Sequence, residues 1–204
     1  VDHGHVAGEA LAVREGVGIA EISQFAKFTV EGADAAGFLD RMLACRLPAP
    51  GRIALAPMLK QDGKLIGDLT LARLDEETFF LAGTGAAEDF YLRWWLDHRD
   101  AEEDVEITAH GLAICGLTIA GPKARDVLAA CVAEDVSHDA FRFMAFREME
   151  VGMAPCMVGR ISFTGDLGYE IWMAVEHQPH GSEGLIAARE PQGIERLGGG
   201  ARPA

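Results

Sequence analysis

Arg160-Ile-Ser-Phe-Thr-Gly-Asp-Leu-Gly-Tyr-Glu-Ile171 is the stretch that decides how the chain is read. Alternation over residues 159–163 and again over 169–173 predicts two short strands, and residues 164–168 supply a Gly-rich turn that tolerates positive φ. Glu170 opens the second strand between Tyr169 and Ile171. A carboxylate in an apolar strand either faces water or receives a ligand, and its two parallel acceptors suit a ligand carrying two parallel N–H donors. Arg160 reads as the ion-pair partner of Glu170 or Asp166, with an anion contact as its functional alternative. Phe163 reads as core. Ser162 has no His or Asp in triad spacing, so nucleophilic catalysis has little support.

Outward from this stretch, residues 52–74 read as a second hairpin with Asp62-Gly63 at its turn. On its return strand Leu65, Gly67, Leu69 and Leu71 share one face, and Ile66, Asp68, Thr70 and Ala72 share the other. Asp68 is then either a solvated acid, the commoner case for Asp, or an acid in a partly dry pocket that orients or deprotonates an amine. Further strands are expected at 27–30, 78–82, 105–108, 113–119 and from 148 to 174. Helices are expected from Asp34, as cap, to Cys45. A second runs over 86–98 with Phe90 and Trp94 inside and Leu92 and Trp95 as further inward candidates, and a third from Gly121-Pro122 to Cys131. Residues 11–18 read as a short lead-in, and Phe141, Phe143 and Phe146 as core. The whole is α+β with mixed or antiparallel sheets, as two packed halves over residues 1–177 followed by an irregular, truncated tail over 178–204.

Composition narrows the function classes. At 204 residues, 49% hydrophobic and 25% charged, the chain has enough apolar material for one good core or two small ones. A net charge of −14 without clustered Lys and Arg argues against nucleic acid. No apolar run of about 18 residues suggests a membrane span. The polar start, without an initiator Met, suggests a cytoplasmic piece of a larger protein rather than a secreted one. Four scattered cysteines and seven unclustered histidines point to free thiols and to no metal site. Neither GxGxxG after a first strand nor GK[ST] is present, which leaves dinucleotide and nucleoside-triphosphate folds unsupported.

Several segments in order carry a resemblance: Arg14-Glu-Gly-Val-Gly18, Phe25-Ala-Lys-Phe28, Arg46-Leu-Pro48, Gly63-Lys-Leu-Ile-Gly-Asp-Leu-Thr-Leu-Ala-Arg-Leu74, Leu117-Thr-Ile-Ala-Gly-Pro-Lys-Ala-Arg125 and Arg160 to Glu170. Together they resemble the folate-binding, aminomethyltransferase-like region of dimethylglycine and sarcosine dehydrogenases and, more distantly, the glycine-cleavage T-protein. The resemblance implies a tetrahydrofolate-binding domain that accepts a one-carbon unit and forms 5,10-methylenetetrahydrofolate, with FAD on a missing or partner amine dehydrogenase. It implies Asp68 as the acid that manages the N10 proton, Glu170 as the pterin anchor, and Phe163, Arg160 and Tyr169 as folate contacts. Arg52, Arg73 and Arg160 are the implied partners of a polyglutamate tail. The family often has Tyr in place of Phe163, and the T-protein usually has two adjacent acids where this chain has Gly67-Asp68. Alternatives are a stand-alone tetrahydrofolate-dependent aminomethyltransferase or demethylase, and an inactive folate-binding remnant. An iron–sulfur assembly factor would carry Lys-Gly-Cys-Tyr-x-Gly-Gln-Glu in place of Ser162–Glu170.

Overall fold

The computed structural model describes residues 3–188 and 195–196. In chain order the first elements are α1 (His3–Glu15), β1 (Gly18–Glu21), β2 (Ala26–Glu31), α2 (Ala35–Met42), β3 (Arg52–Leu59) and β4 (Leu65–Arg73). Next come β5 (Thr78–Gly83), α3 (Glu88–His98), β6 (Glu106–Ala109), β7 (Ile114–Ala120) and α4 (Ala124–Ala129). The last are β8 (Phe146–Val151), β9 (Ala154–Gly159), β10 (Gly168–Ala174), α5 (Gln178–Ala187) and β11 (Glu195–Arg196). The chain divides into two compact units, one made of residues 24–114 and the other of residues 1–23 with 115–204. The fold is α+β, each unit holding one sheet.

In the contiguous unit the strand order is β3-β4-β5-β2-β6, antiparallel at every pairing. The β3/β4 hairpin forms as its turn chemistry dictates: Gly63 takes φ of 79° and the Lys64 N–H donates to Asp62 Oδ1 at 3.2 Å. Gly67, Leu69 and Leu71 turn inward while Asp68, opposite Pro57, lies exposed on the other face. Ala35, Phe38, Leu39 and Met42 of α2 are buried in the predicted i, i+3, i+4 pattern. Asp34 makes no side-chain cap; its carboxylate instead accepts the Asp104 N–H at 2.9 Å and ties the α3–β6 loop to the helix start.

In α3 the inward residues are Trp95, as expected, and Tyr91, which was not; of the other expected residues Phe90 is 42% exposed, and Trp94 and Leu92 are half-buried. Two features set this phase. A 3₁₀ turn over Gly85–Ala87 precedes the helix, and Gly67 leaves room for the Tyr91 ring, since a Cβ there would sit 2.3 Å from Tyr91 Oη. Trp95 meets Phe28 edge-on, with ring centroids 4.8 Å apart. Burying each such aromatic contributes about 1.5–3 kcal/mol.

In the discontinuous unit the order is β11-β1-β7-β10-β9-β8, with β11 parallel to β1. The pairings β1–β7, β10–β9 and β9–β8 are antiparallel. Ala124, Val127 and Leu128 of α4 and Leu185 of α5 fill its core. Three expectations fail here. Residues 11–15, expected as part of a short lead-in of helix and turn residues, are the end of the 13-residue helix α1. Residues 178–187 form α5 where an irregular tail is expected, while 189–194 and 197–204 lie outside the described residues. Phe143 is 62% exposed, although Phe141 and Phe146 are buried.

The opening stretch is itself corrected. Its two strands are β9 and β10, and residues 160–167 are a loop rather than a continuation of β9. Beyond Gly159 the Arg160 backbone turns from β10 to the chain before β8. Its N–H donates to Ala145 O at 2.8 Å, and its carbonyl accepts the Met144 N–H at 3.0 Å. The loop holds itself together through Ser162 Oγ donating to Asp166 O at 2.6 Å and Gly165 at φ of 78°. Among the described residues no helix is long and apolar enough to cross a membrane, and all four cysteines are free thiols.

Candidate functional site

Strand alternation sorts β10 into two faces. Tyr169, Ile171 and Met173 enter the hydrophobic core of the discontinuous unit, so Gly168, Glu170 and Trp172 point the other way. Glu170 stands opposite Gly159, which in turn stands opposite Phe146 on β8. Residues directly opposite share a face, so the carboxylate has a glycine on one side and an aromatic ring one strand further. Burial pushes the Glu170 carboxyl up to about 7, opposed by a hydrogen bond from Trp172. Near neutral pH both protonation states are therefore well populated, and a ligand presenting N–H donors draws the group toward the carboxylate.

The same alternation separates the other expected contacts from Glu170. Tyr169 is fully buried on the core face, stacked on Phe141 with centroids 5.8 Å apart. Among the described residues its hydroxyl has no hydrogen-bond partner. Tyr169 is thus a core residue and not a neighbour of the carboxylate. Arg160, one residue past Gly159, also lies on the core side, and it pairs with neither Glu170 nor Asp166. Its guanidinium donates to Phe141 O at 2.7 Å and meets His138 Nδ1 at 3.1 Å. Asp166 instead pairs with Arg14 at 3.4 Å. Phe163, read from the sequence as core, is 94% exposed at the tip of the 160–167 loop. Arg73, an expected tail partner, is committed to Glu76 and to the carbonyls of Pro48, Asp75 and Glu76.

In the contiguous unit Asp68 shares its sheet face with Thr70, which pairs with Ala82, which pairs with Lys27. Lys27 is fully buried, a cost that the sequence reading passed over by treating residues 27–30 only as a strand. The available signal was a lysine enclosed by Ala26 and Phe28. Two residues on, Thr29 Oγ1 lies 2.7 Å from His110 Nε2. Burial, and then the charge of Lys27, hold His110 below its usual value. The contiguous unit thus carries an exposed acid and a buried lysine on one sheet face.

The family model of the GCVT N-terminal domain matches residues 2–204. The chain belongs to the GCVT N-terminal domain family. This GCVT domain is 30% identical over 195 residues to human mitochondrial dimethylglycine dehydrogenase, covering 95% of the chain and 22% of the relative. It is 34% identical over 198 residues to the sarcosine oxidase alpha subunit of Corynebacterium sp. strain U-96, covering 93% and 20%. The aminomethyltransferase of Chlorobium luteolum is 31% identical over 205 residues, covering 99% and 56%. The chain thus spans about a fifth of the first two relatives and about half of the third. Among solved structures, the glycine cleavage aminomethyltransferase T of Bartonella henselae superposes with a TM-score of 0.81 at 25% identity, over 97% of this chain and 52% of that one. A chain of the heterotetrameric sarcosine oxidase of Corynebacterium sp. U-96 shares the fold, with a TM-score of 0.68 at 19% identity over 93% of both chains.

Proposed function

We propose that this GCVT domain binds tetrahydrofolate as the acceptor of a one-carbon unit released by an FAD-dependent amine dehydrogenase of the dimethylglycine or sarcosine type. The observation that carries the reading is Glu170: a half-buried carboxyl with raised proton affinity, flanked by a glycine and an aromatic ring. The pterin 2-amino group and N3–H form a donor fork that matches a carboxylate. In the reaction, N5 adds to the iminium carbon, the amine departs carrying a proton, and N10 closes onto the same carbon. The N10 proton is lost in that closure, and Asp68 is the acid assigned to take it. Phe163 offers its exposed ring as an apolar contact to the bound folate.

Glu170→Ala is expected to weaken tetrahydrofolate binding by about 2–3 kcal/mol, the loss of a charge-assisted pair. Asp68→Asn is expected to leave binding nearly intact and abolish formation of 5,10-methylenetetrahydrofolate. Calorimetry in which the wild-type chain takes up no tetrahydrofolate ends this reading. The similarity to aminomethyltransferases over 99% of the chain favours a second reading, a stand-alone aminomethyl transfer. Turnover by the purified chain without any flavoprotein would select it over the first.

A further inference from the structure

We propose that Trp172 is a positioning residue of this site, its indole N–H holding the Glu170 carboxyl in the orientation that receives the ligand's donor fork. The inference rests on the folate reading of Glu170, and its own observations are local to one sheet. Glu170 and Trp172 stand two apart on β10 and so on one face, and hydrogen bonding from the Trp172 side chain, whose sole donor is the indole N–H, opposes the burial that raises the carboxyl. An indole N–H can only donate, so it occupies one lone pair of the carboxyl and leaves the others for a ligand.

The ring cannot swing away. Trp172 is 2% exposed, and its six-membered ring lies over Gly116 of β7. A Cβ at that glycine would sit 2.4 Å from Cζ3 and 2.6 Å from Cε3 of Trp172, and 2.8 Å from Ile22 Cγ1. Gly116 is itself fixed on both sides. The Ile22 N–H donates to its carbonyl at 2.8 Å, and its own N–H donates to Ser23 Oγ at 3.1 Å. A seated ring, a donor-only N–H and a half-buried carboxyl make one rigid unit.

The charges at the Glu170 end of β8 and β9 do not perform the task. On the same face β9 presents Met157 and Gly159, and β8 presents Phe146 and Glu148. Glu148 is exposed beyond Met157. Arg147 lies over the Phe141 ring and Arg160 donates to the Phe141 carbonyl, both on the core side.

Trp172→Phe keeps the seated ring and deletes the N–H. Carbon-13 NMR of Glu-labelled, unliganded protein should show the Glu170 midpoint moving upward, because a donor favouring the ionised form is gone. Tetrahydrofolate affinity should fall about tenfold, with the loss of one oriented charged hydrogen bond. In the wild type, the Trp172 indole ¹⁵N–¹H resonance should follow the Glu170 titration and cease to do so in Glu170→Gln. This measurement needs neither the Phe variant nor the ligand. A Trp172 resonance indifferent to Glu170, or an unchanged midpoint and affinity in Trp172→Phe, overturns the positioning role alone. Failure of the wild type to bind tetrahydrofolate overturns the folate reading and this role with it.

Discussion

Replacing Glu170 by Gln should stabilise the protein, and only at the upper end of the pH range. Burial raises the carboxyl from 4.5 to about 7 in the folded chain. Below the unfolded value both states hold the proton and the group contributes nothing adverse. As pH rises through 4.5, the unfolded chain releases its proton while the folded chain retains it, so folding becomes less favourable. The penalty stops growing once pH passes about 7. At roughly 1.4 kcal/mol per pKa unit, the full penalty is about 3 kcal/mol. Glutamine does not titrate, and its amide oxygen still accepts the Trp172 N–H. Urea unfolding of wild type and Glu170→Gln at pH 4.5, 6 and 8 measures the effect, because subtracting the two curves cancels the titration of every other acid. The difference should grow in favour of Gln by up to about 3 kcal/mol between pH 4.5 and 8. A difference that stays constant with pH refutes the burial argument, and so does a Gln variant less stable than wild type at pH 8.

Three further outcomes follow from single contacts. Tyr169→Phe removes a buried hydroxyl that has no partner among the described residues, so it should leave stability unchanged or raise it by about 1 kcal/mol. It should also leave tetrahydrofolate affinity untouched, and a weaker ligand would put Tyr169 back at the site. Gly67→Ala would place a Cβ 2.3 Å from Tyr91 Oη and should lower stability by about 1–3 kcal/mol, part of which Tyr91→Leu should restore in urea unfolding. Burial pushes the Cys156 thiol up to about 11. An aromatic disulfide reagent at pH 8 should thus label it only after denaturation, and rapid labelling of the native chain would contradict its burial.

Turn chemistry made much of the fold readable. Asp62-Gly63 set the β3/β4 hairpin, and the alternation of Leu65 to Ala72 sorted Asp68 onto the face away from Gly67, Leu69 and Leu71; that this face leaves Asp68 exposed came from the structure. Helix phase was harder. Phe90 and Trp94 are as apolar as Tyr91 and Trp95, and what chooses between the pairs is Gly67, a residue on another element. The reading of Arg160 failed for a similar reason. Its expected partners are close in sequence, but the register pairing Gly159 with Glu170 sends Arg160 to the opposite face. Glu170 was visible as an acid in an apolar strand. Its partner Trp172 was not, because the seat that holds the indole is made by Gly116, more than fifty residues earlier. Phe163 shows the limit of hydrophobicity as a guide, since an apolar residue at a loop tip has no sheet face to bury.

The order in which the chain leaves the ribosome gives a different meaning to its division at residues 23 and 115. Residues 24–114 form an uninterrupted sequence and can complete their sheet while the rest is still being made. β1 emerges before them, yet its antiparallel partner comes about a hundred residues later, as Ile19 pairs with Ile119. Until then β1 has no β7 beside it. Closing that gap through a fully unfolded insert would carry the loop-closure entropy of the whole segment. A folded insert enters and leaves at neighbouring strands, since Glu21 pairs with Leu117, and so presents a much shorter effective loop. Early completion of the insert should therefore speed pairing of β1 with β7. A lesion such as Gly67→Ala, far from Glu170 in sequence, should delay the nascent sheet that carries it and lengthen the time β1 spends as an open edge.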